Sequence, residues 1–191
     1  MGLPKGVPFT SALQQLLDAV SSTRAVGNTA LYDGVAAALE HIKAATASRK
    51  AVIVVSDGDD NASRTNFPTL LKQAEASNAQ IYALGVFDEM FSGSHSGSVL
   101  KHLSKATGGK TYFPDSPTQI AGICMQIAQN LRHQYTIGYV SSNPNPGGKY
   151  HTIRVTASGA GGGKLYVSTR TGYSAPSELQ SALLAPTKAA L

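Results

Sequence analysis

Residues 51–63 read AVIVVSDGDDNAS, an apolar run that leads directly into a polar loop rich in carboxylates. A continuous, mostly β-branched run of this kind is typical of a strand that is buried on both faces of a parallel sheet. Ligands of open α/β sheets gather at the carboxyl ends of such strands. Asp57 stands at that end, beside Gly58, which lets the backbone turn sharply. Because carboxylate oxygens suit a hard divalent cation, the sequence indicates a candidate metal or ligand site at Asp57.

The segments around this strand follow helical and strand periodicities in turn. Apolar spacing predicts helices near 13–20, 30–47, 67–78, 97–107 and 116–132, and strands near 51–56, 80–86 and 111–113. The strand, helix and strand between 51 and 86 predict a parallel βαβ unit. The fold class predicted from this order is α/β, a Rossmann-like three-layer sandwich.

The pattern changes after residue 133, where apolar and polar residues begin to alternate. Gln134–Val140 reads as a strand, and two further strands, His151–Ala157 and Leu165–Arg170, flank a glycine-rich turn. We predict that this hairpin extends the sheet in antiparallel sense. The domain division that follows is a single domain over 1–174, with its extension over about 141–174, and a tail or short helix over 175–191.

Composition limits the possible classes of protein and partner. With 191 residues, 42% hydrophobic and 14% charged, the chain is predicted to be globular with a full core. The net charge of +5 comes from scattered basic residues, which argues against a nucleic-acid partner. No apolar run approaches the roughly 18 residues of a membrane helix, so no membrane insertion is expected. The single cysteine, Cys124, excludes an internal disulfide and is predicted to be a buried thiol.

Several stretches in a fixed order resemble one known family. They are GNTALYDGVAAAL (27–39), KAVIVVSDGDDN (50–61), AQIYALGVFD (79–88), LSKATGGKTYF (103–113) and HQYTIGYV (133–140). Over most of residues 7–140 the chain resembles von Willebrand factor type A domains. The segments YHTIRV (150–155) and STRTGYSAP (168–176) are similar to a bacterial, VWFA-related subgroup of acidobacterial type.

The resemblance implies a metal-ion-dependent adhesion site built from three loops, which carry Asp-x-Ser-x-Ser, a threonine and an aspartate. Thr29 matches the threonine and Asp57 the aspartate, while Asp-x-Ser-x-Ser occurs nowhere in this chain. In the family that motif lies on the first, central strand, so the resemblance implies an N-terminally truncated domain with an incomplete metal site. We expect Mg²⁺, or Mn²⁺ or Ca²⁺, in a full-length protein, and weak or no metal binding by this chain.

The function implied by the resemblance is a protein-interaction or adhesion module. Its partner is an unidentified protein, and Asn28, Gly58 and Asp59, beside the two ligand positions, are the candidate partner-binding residues. The residues alone leave other interpretations open. Thr29 can simply cap the following helix, and Asp57 can cap its own loop. Asp33 reads as a first-turn acid of that helix, and Asp59 and Asp60 read as solvated loop charges.

Two other functions remain as alternatives. No Ser/His/Asp or Cys/His set can be assembled from the sequence, so we predict that the chain is not an enzyme, with an unrecognised hydrolase as one alternative. The other is a structural or assembly domain. If the family's first strand is missing, strand 51–56 has an open edge, and we expect either Leu3–Phe9 or a second copy of the chain to cover it. Pro4 and Pro8 make the N-terminal segment a poor ladder partner, which favours a homo-oligomer.

The localisation stays open at this point. The first residues, MGLPKGVPFT, contain no apolar signal-peptide core. Either the protein is cytoplasmic or its leader lies outside this chain, and the family resemblance implies an exported or extracytoplasmic protein.

Overall fold

The computed structural model describes residues 8–24, 27–86, 96–139, 150–163 and 165–175. Five helices and five strands lie in these residues, with a 3₁₀ turn at Ile42–Ala44. The helices are α1 (Leu13–Ser22), α2 (Leu31–His41), α3 (Phe67–Ala76), α4 (Ser96–Thr107) and α5 (Thr118–His133). The strands are β1 (Lys50–Ser56), β2 (Ala79–Gly85), β3 (Thr111–Tyr112), β4 (Tyr150–Thr152) and β5 (Gly172–Ser174).

The first three strands form one parallel sheet in the order β1-β2-β3. β1 and β2 pair over their full lengths, from Lys50 opposite Ala79 to Ser56 opposite Gly85. α3 joins these two strands, which is the predicted βαβ unit. The α/β fold class predicted from the sequence is confirmed.

Helices cover both faces of the sheet, but not evenly. One core lies between the sheet and helices α2, α3 and α4, and includes Val54, Leu70, Ile81 and Leu100. On the opposite face, Ile127 of α5 packs against Tyr82 and Leu84, with Ala51 at the margin. The prediction that the apolar run at 51–56 is buried on both faces is therefore wrong. Ile53 and Val55 are 52% and 63% exposed, because α5 lies over β2 and the start of β1 and leaves the rest of β1 uncovered.

The C-terminal third differs from its prediction in detail. β4 and β5 pair with each other in a separate antiparallel sheet, and among the described residues neither extends the main sheet. The segments 134–139 and 165–170 form no strand, although both alternate in sequence. An alternating segment becomes a strand only when it finds a ladder partner, and the sequence does not specify that partner. Residue 140, the turn at 141–149 and the tail at 176–191 lie outside the described residues.

The strand pair stays close to the α/β body. β5 contacts α3, and Ser168 Oγ donates to the carbonyl oxygen of Gly108 at 3.1 Å. Gly108 follows α4 with a φ of 78°, the left-handed conformation that glycine commonly adopts at the C-terminus of a helix. The next glycine, Gly109, lies so close to β2 that an added Cβ would meet the Ile81 carbonyl oxygen at 1.9 Å. These contacts fix the end of α4 against the sheet.

Two further predictions concern exposure. Cys124 is exposed, not buried, because the stripe of α5 that faces the sheet runs through Ile123, Ile127 and Leu131, and Cys124 lies beside it. Within the described residues, no helix combines the length and the apolar character needed to span a bilayer.

Candidate functional site

Two loops meet at the carboxyl end of β1, the 57–66 loop that follows it and the 27–30 loop that leads into α2. Their backbones are joined around Thr29. The N–H of Thr29 donates to Asn61 Oδ1 at 2.9 Å, across 32 positions of sequence. The carbonyl oxygen of Thr29 accepts from the N–H groups of Asn61 and Ala62, each at 3.0 Å. The three bonds hold the Thr29 backbone in one place relative to the 57–66 loop.

The first turn of α2 is capped by side chains of the 57–66 loop. The N-cap position is Ala30, which offers no side-chain acceptor. Instead, Tyr32 N–H donates to Asp60 Oδ2 at 2.8 Å, and Asp33 N–H donates to Ser63 Oγ at 2.9 Å. These are two of the N–H groups that a helix leaves without an intrahelical partner. Asp60 and Ser63 of the 57–66 loop therefore accept the hydrogen bonds that the side chain of an N-cap residue ordinarily accepts.

Asp33 makes the reciprocal connection from α2 to the loop. Its two carboxylate oxygens accept from the N–H groups of Arg64, at 2.9 Å, and Thr65, at 3.0 Å. The bond from Arg64 N–H, followed by those from the Thr65 hydroxyl and N–H, holds the pKa of Asp33 below its usual value. Asp33 is thus the first-turn acid of α2 that the sequence predicted, and it also orders the end of the loop.

Asp60 is the centre of this network. Besides Tyr32 it accepts from the N–H of Ser63 at 3.1 Å and from the Ser63 hydroxyl. Burial alone would raise its pKa, but the hydrogen bonds from Ser63 and Tyr32 outweigh burial and lower the pKa below its usual value. The prediction that Asp60 is a solvated loop charge is wrong, because its oxygens are committed to backbone and hydroxyl donors.

The turn out of β1 is formed by Ser56, Asp57 and Gly58. Gly58 is buried and has a φ of 91°, a conformation that L-residues with side chains rarely adopt. Its N–H donates to Ser56 Oγ at 3.0 Å, and Asp57 Oδ1 accepts from Asp59 N–H at 3.0 Å and from Ser56 Oγ at 3.3 Å. Asp57 therefore caps its own loop, which is one of the two interpretations that the sequence left open.

The predicted site residues lie on these two loops but differ in exposure. Asn28, Thr29, Asp57 and Asp59 are exposed, whereas Gly58 is buried. Within the described part of the chain, the Thr29 hydroxyl makes no hydrogen bond. Thr29 is also not the cap of α2, since Asp60 and Ser63 fill that role. The interpretation of Thr29 as a simple helix cap is therefore wrong.

The donor set at the loops does not fit a complete divalent-cation site. Thr29 and Asp57 supply one hydroxyl and one carboxylate, and one oxygen of that carboxylate already accepts two hydrogen bonds. The nearby carboxylates of Asp33 and Asp60 are engaged by N–H and hydroxyl donors. Among the described residues, no group of three or more His, Cys, Asp or Glu side chains is placed to hold a metal ion. Mg²⁺ requires six oxygen ligands, of which Thr29 and Asp57 would supply two.

Sequence reasoning missed three residues that hold the two loops together, namely Asp60, Asn61 and Ser63. A signal was present, because Asp, Asn and Ser side chains in loops commonly accept from backbone N–H groups. That signal does not identify the donors, which lie 28 to 32 positions away in the sequence.

Comparison with protein families gives one match. The model of the von Willebrand factor type A domain matches residues 7–126, a span that includes both loops and the whole parallel sheet. Comparison with curated proteins and with solved structures gave no significant match. The family match covers more than half of the 191 residues and agrees with the observed parallel sheet and its helices. The chain therefore belongs to the von Willebrand factor type A family.

Proposed function

We propose that this chain is a protein-binding module that engages its partner at the carboxyl end of the sheet, through Asn28, Thr29, Asp57 and Asp59. Domains of this family are generally protein-interaction and adhesion modules. The proposal assigns that general role to one surface of this chain, and it assigns binding rather than catalysis.

One observation carries the proposal, which is that the 27–30 and 57–66 loops are joined into a single unit while these four residues stay exposed. A surface that is ordered before binding loses less conformational entropy when a partner arrives. Gly58 lies between Asp57 and Asp59 and turns the backbone there with a φ of 91°.

The charge of this surface indicates the chemistry of the partner. In the family, a divalent ion bridges the site to an acidic residue of the partner. Here the donor set does not complete such a site, and Asp57 and Asp59 present exposed carboxylates. Exposed carboxylates attract Lys or Arg and repel acidic side chains. We therefore propose a partner segment that presents basic side chains or N–H donors.

The proposal is tested with a displayed peptide library, selected on the wild-type chain in EDTA and, separately, in Mg²⁺. We expect basic peptides to be enriched in both arms. Binding should be lost in the triple variant N28A/D57A/D59A and kept in D18A, which removes an exposed carboxylate from α1 instead. Peptides that bind the triple variant as well as they bind the wild type would refute the proposed surface. Enrichment of acidic peptides in Mg²⁺ alone would refute the proposed partner chemistry.

A second surface supports a second role. We propose that the chain also self-associates through β1, in keeping with the exposure of Ile53 and Val55 on a strand at the edge of its sheet. Exposed apolar edge strands recruit further strands. Sedimentation at micromolar concentration tests this association: we expect a dimer or a larger assembly, and a monomer whose 51–56 amides are protected from hydrogen exchange would refute it.

A further inference from the structure

The net positive charge of the chain is concentrated towards its C-terminus. Residues 1–115 contain ten basic and ten acidic side chains, so this part of the chain is neutral overall. Residues 116–177 contain five basic side chains and neither aspartate nor glutamate, so the net charge of +5 belongs to this segment. Because the segment has no carboxylates with which to neutralise its own basic side chains, it attracts anionic partners.

The pair of β4 and β5 continues into a hairpin that is bonded at both ends and open between them. At one end, Ile153 N–H donates to the Thr171 carbonyl oxygen at 2.9 Å, in register with the two strands. At the other end, Leu165 N–H donates to the Ala157 carbonyl oxygen at 3.0 Å. The outgoing side has three residues between these bonds and the return side has five, so the two sides cannot pair residue by residue.

The longer return side of the hairpin packs against the α/β body. Ser168 Oγ donates to the Gly108 carbonyl oxygen at 3.1 Å, and a Cβ added to Gly108 would meet the backbone nitrogen of Arg170 at 2.7 Å. These contacts bind the return side to the body and leave a groove between the two sides of the hairpin. The hairpin groove has a volume of about 230 Å³ and is lined by Arg154, Val155, Thr156, Leu165, Tyr166 and Val167.

The backbone of Val155 faces this groove. Ile153 N–H and the Ala157 carbonyl oxygen both point to the return side, and backbone groups alternate in direction along an extended segment. The N–H and C=O groups of Val155, midway between them, therefore point to the return side as well. Within the ranges that the structure describes, neither group makes a hydrogen bond. The groove thus presents one backbone donor and one backbone acceptor.

The charged side chain of the groove is Arg154, and its contacts differ from those of two other arginines. Arg49 donates to carbonyl oxygens at the end of α5, and Arg170 donates to the Ser77 carbonyl oxygen at 3.4 Å. Arg154 is exposed, and it forms neither a hydrogen bond nor an ion pair with any residue of the described part of the chain. A guanidinium in this state presents a planar set of donors that matches a carboxylate.

We propose that the hairpin groove is a second protein-binding site, which takes an extended, acidic segment of a partner. A carboxylate of that segment binds the Arg154 guanidinium, and its backbone pairs with the N–H and C=O groups of Val155. Apolar side chains next to the carboxylate pack on Leu165 and Tyr166, which are 52% and 92% exposed. Pairing of an extended peptide with open backbone groups is a common mode of recognition. The site goes beyond the loop surface proposed above and prefers the opposite charge.

Two observations favour a peptide over a phosphate-rich partner such as a lipid surface or a nucleic acid. Val155 presents both a donor and an acceptor, and a peptide backbone satisfies both, whereas an ionised phosphate only accepts hydrogen bonds. The groove also contains the single guanidinium of Arg154 rather than a cluster of cations. Tracking a polyanion requires clustered basic side chains.

Peptide binding measured by fluorescence anisotropy tests the site. The probe is a short labelled peptide that alternates glutamate and valine, and in the control peptide glutamine replaces glutamate. We expect the wild type to bind the glutamate peptide with a Kd below about 1 mM and the glutamine peptide about tenfold more weakly. Arg154→Glu should weaken the glutamate peptide by at least about tenfold.

Arg132→Glu is the matched control variant. It changes the net charge by the same amount within the acid-free segment, but Arg132 lies in the last turn of α5, outside the groove. R132E should bind the glutamate peptide within about twofold of the wild type, because exposed charges at a distance are screened. N28A/D57A/D59A should also bind it like the wild type, so this result is independent of the loop surface.

Hydrogen exchange supplies a second measurement that needs no variant. The Val155 amide should exchange rapidly in the free chain and slowly in the presence of the glutamate peptide. Protection of Val155 without peptide would mean that another segment of the chain fills the groove, and would overturn the proposal. Equal losses in R154E and R132E, equal binding of both peptides or no binding by the wild type would overturn it as well. Phosphatidylglycerol vesicles that bind the wild type but not R154E, with no peptide binding, would assign the groove to a lipid surface instead.

Discussion

At the scale of single residues, Asp60 links the folded state to pH. Its pKa and that of Asp33 lie below their usual values. The unfolded chain therefore binds more protons in acid than the folded chain, and stability present above about pH 4 is lost as the pH falls through the lowered values. We expect D60N to be less stable than the wild type at neutral pH and to lose less stability on acidification.

Urea unfolding at a series of pH values between about pH 7 and pH 3 measures this effect. D18N is the control, because Asp18 lies on α1 and bonds Gln14 rather than either loop. Parallel stability curves for the wild type and D60N would contradict the assignment of Asp60 as a carboxylate that is held by its donors.

Gly58 is a second residue with a strong prediction. It is buried and has a φ of 91°, a backbone conformation that residues with a side chain rarely adopt. Gly58→Val should therefore destabilise the domain by about 1 kcal/mol or more. Gly122→Ala is the matched control, because that glycine lies in α5 and an added Cβ would meet no atom within 4 Å. It should stabilise the domain by about 0.5–1 kcal/mol. Unfolding curves that shift equally for both variants would refute the conformational role of Gly58.

The ligand set of Thr29 and Asp57 also makes a residue-scale prediction. A single carboxylate and a hydroxyl leave most of the Mg²⁺ coordination shell to water, so little free energy is gained over the hydrated ion. Titration calorimetry should reveal no Mg²⁺ site tighter than about 1 mM. A micromolar site that disappears in D57A would show that the chain supplies ligands beyond these two.

Residue roles were only partly predictable from the sequence. Asp57 could be placed at a strand end from the apolar run before it, and Asp33 could be placed in the first turn of α2. The cap of α2 could not be predicted, because Asp60 and Ser63 reach that helix across 28 and 30 positions of sequence. A capping pattern can be recognised only in the residues next to the helix start, whereas the acceptors that cap α2 belong to the distant 57–66 loop.

At the scale of elements, α1 and α3 are both amphipathic but differ in packing. Leu70 of α3 is 0% exposed and lies in the main core, whereas Leu17 of α1 is 50% exposed and α1 buries none of its residues. Leu70→Ala should cost about 2–5 kcal/mol, and the same change at Leu17 should stay within about 0.5 kcal/mol. Chemical denaturation of the two variants measures the difference. An equally large loss for L17A would mean that the apolar face of α1 is packed in solution.

The elements show what a local pattern can predict. The runs that form β1 and β2 and the spacing of α3, α4 and α5 lie close to their predicted bounds. The alternation at 134–139 and 165–170 predicts strands, yet these residues form none. In a helix the hydrogen-bond partners are near in sequence, whereas a strand needs a partner that the sequence does not name. The full burial predicted for β1 failed for the same reason, since it depends on what lies beside the strand.

At the scale of the whole molecule, the parallel sheet places two surfaces on β1. Its carboxyl end leads into the joined loops, which are proposed to bind a partner protein. Its outer edge, with Ile53 and Val55, is proposed to bind a second copy of the chain.

The central claim is that the 27–30 and 57–66 loops form one ordered surface before any partner binds. Amide hydrogen exchange tests it most directly, because Tyr32 and Asp33 lie in the first turn of α2, where amides ordinarily have no helical acceptor. We predict that the amides of Tyr32, Asp33, Arg64 and Thr65 are protected like those of β2. D60A, which removes the acceptor of the Tyr32 amide, should abolish the protection of Tyr32 while sparing Arg64 and Thr65. Exchange of the Tyr32 and Asp33 amides at the rate of an unprotected chain would contradict the account.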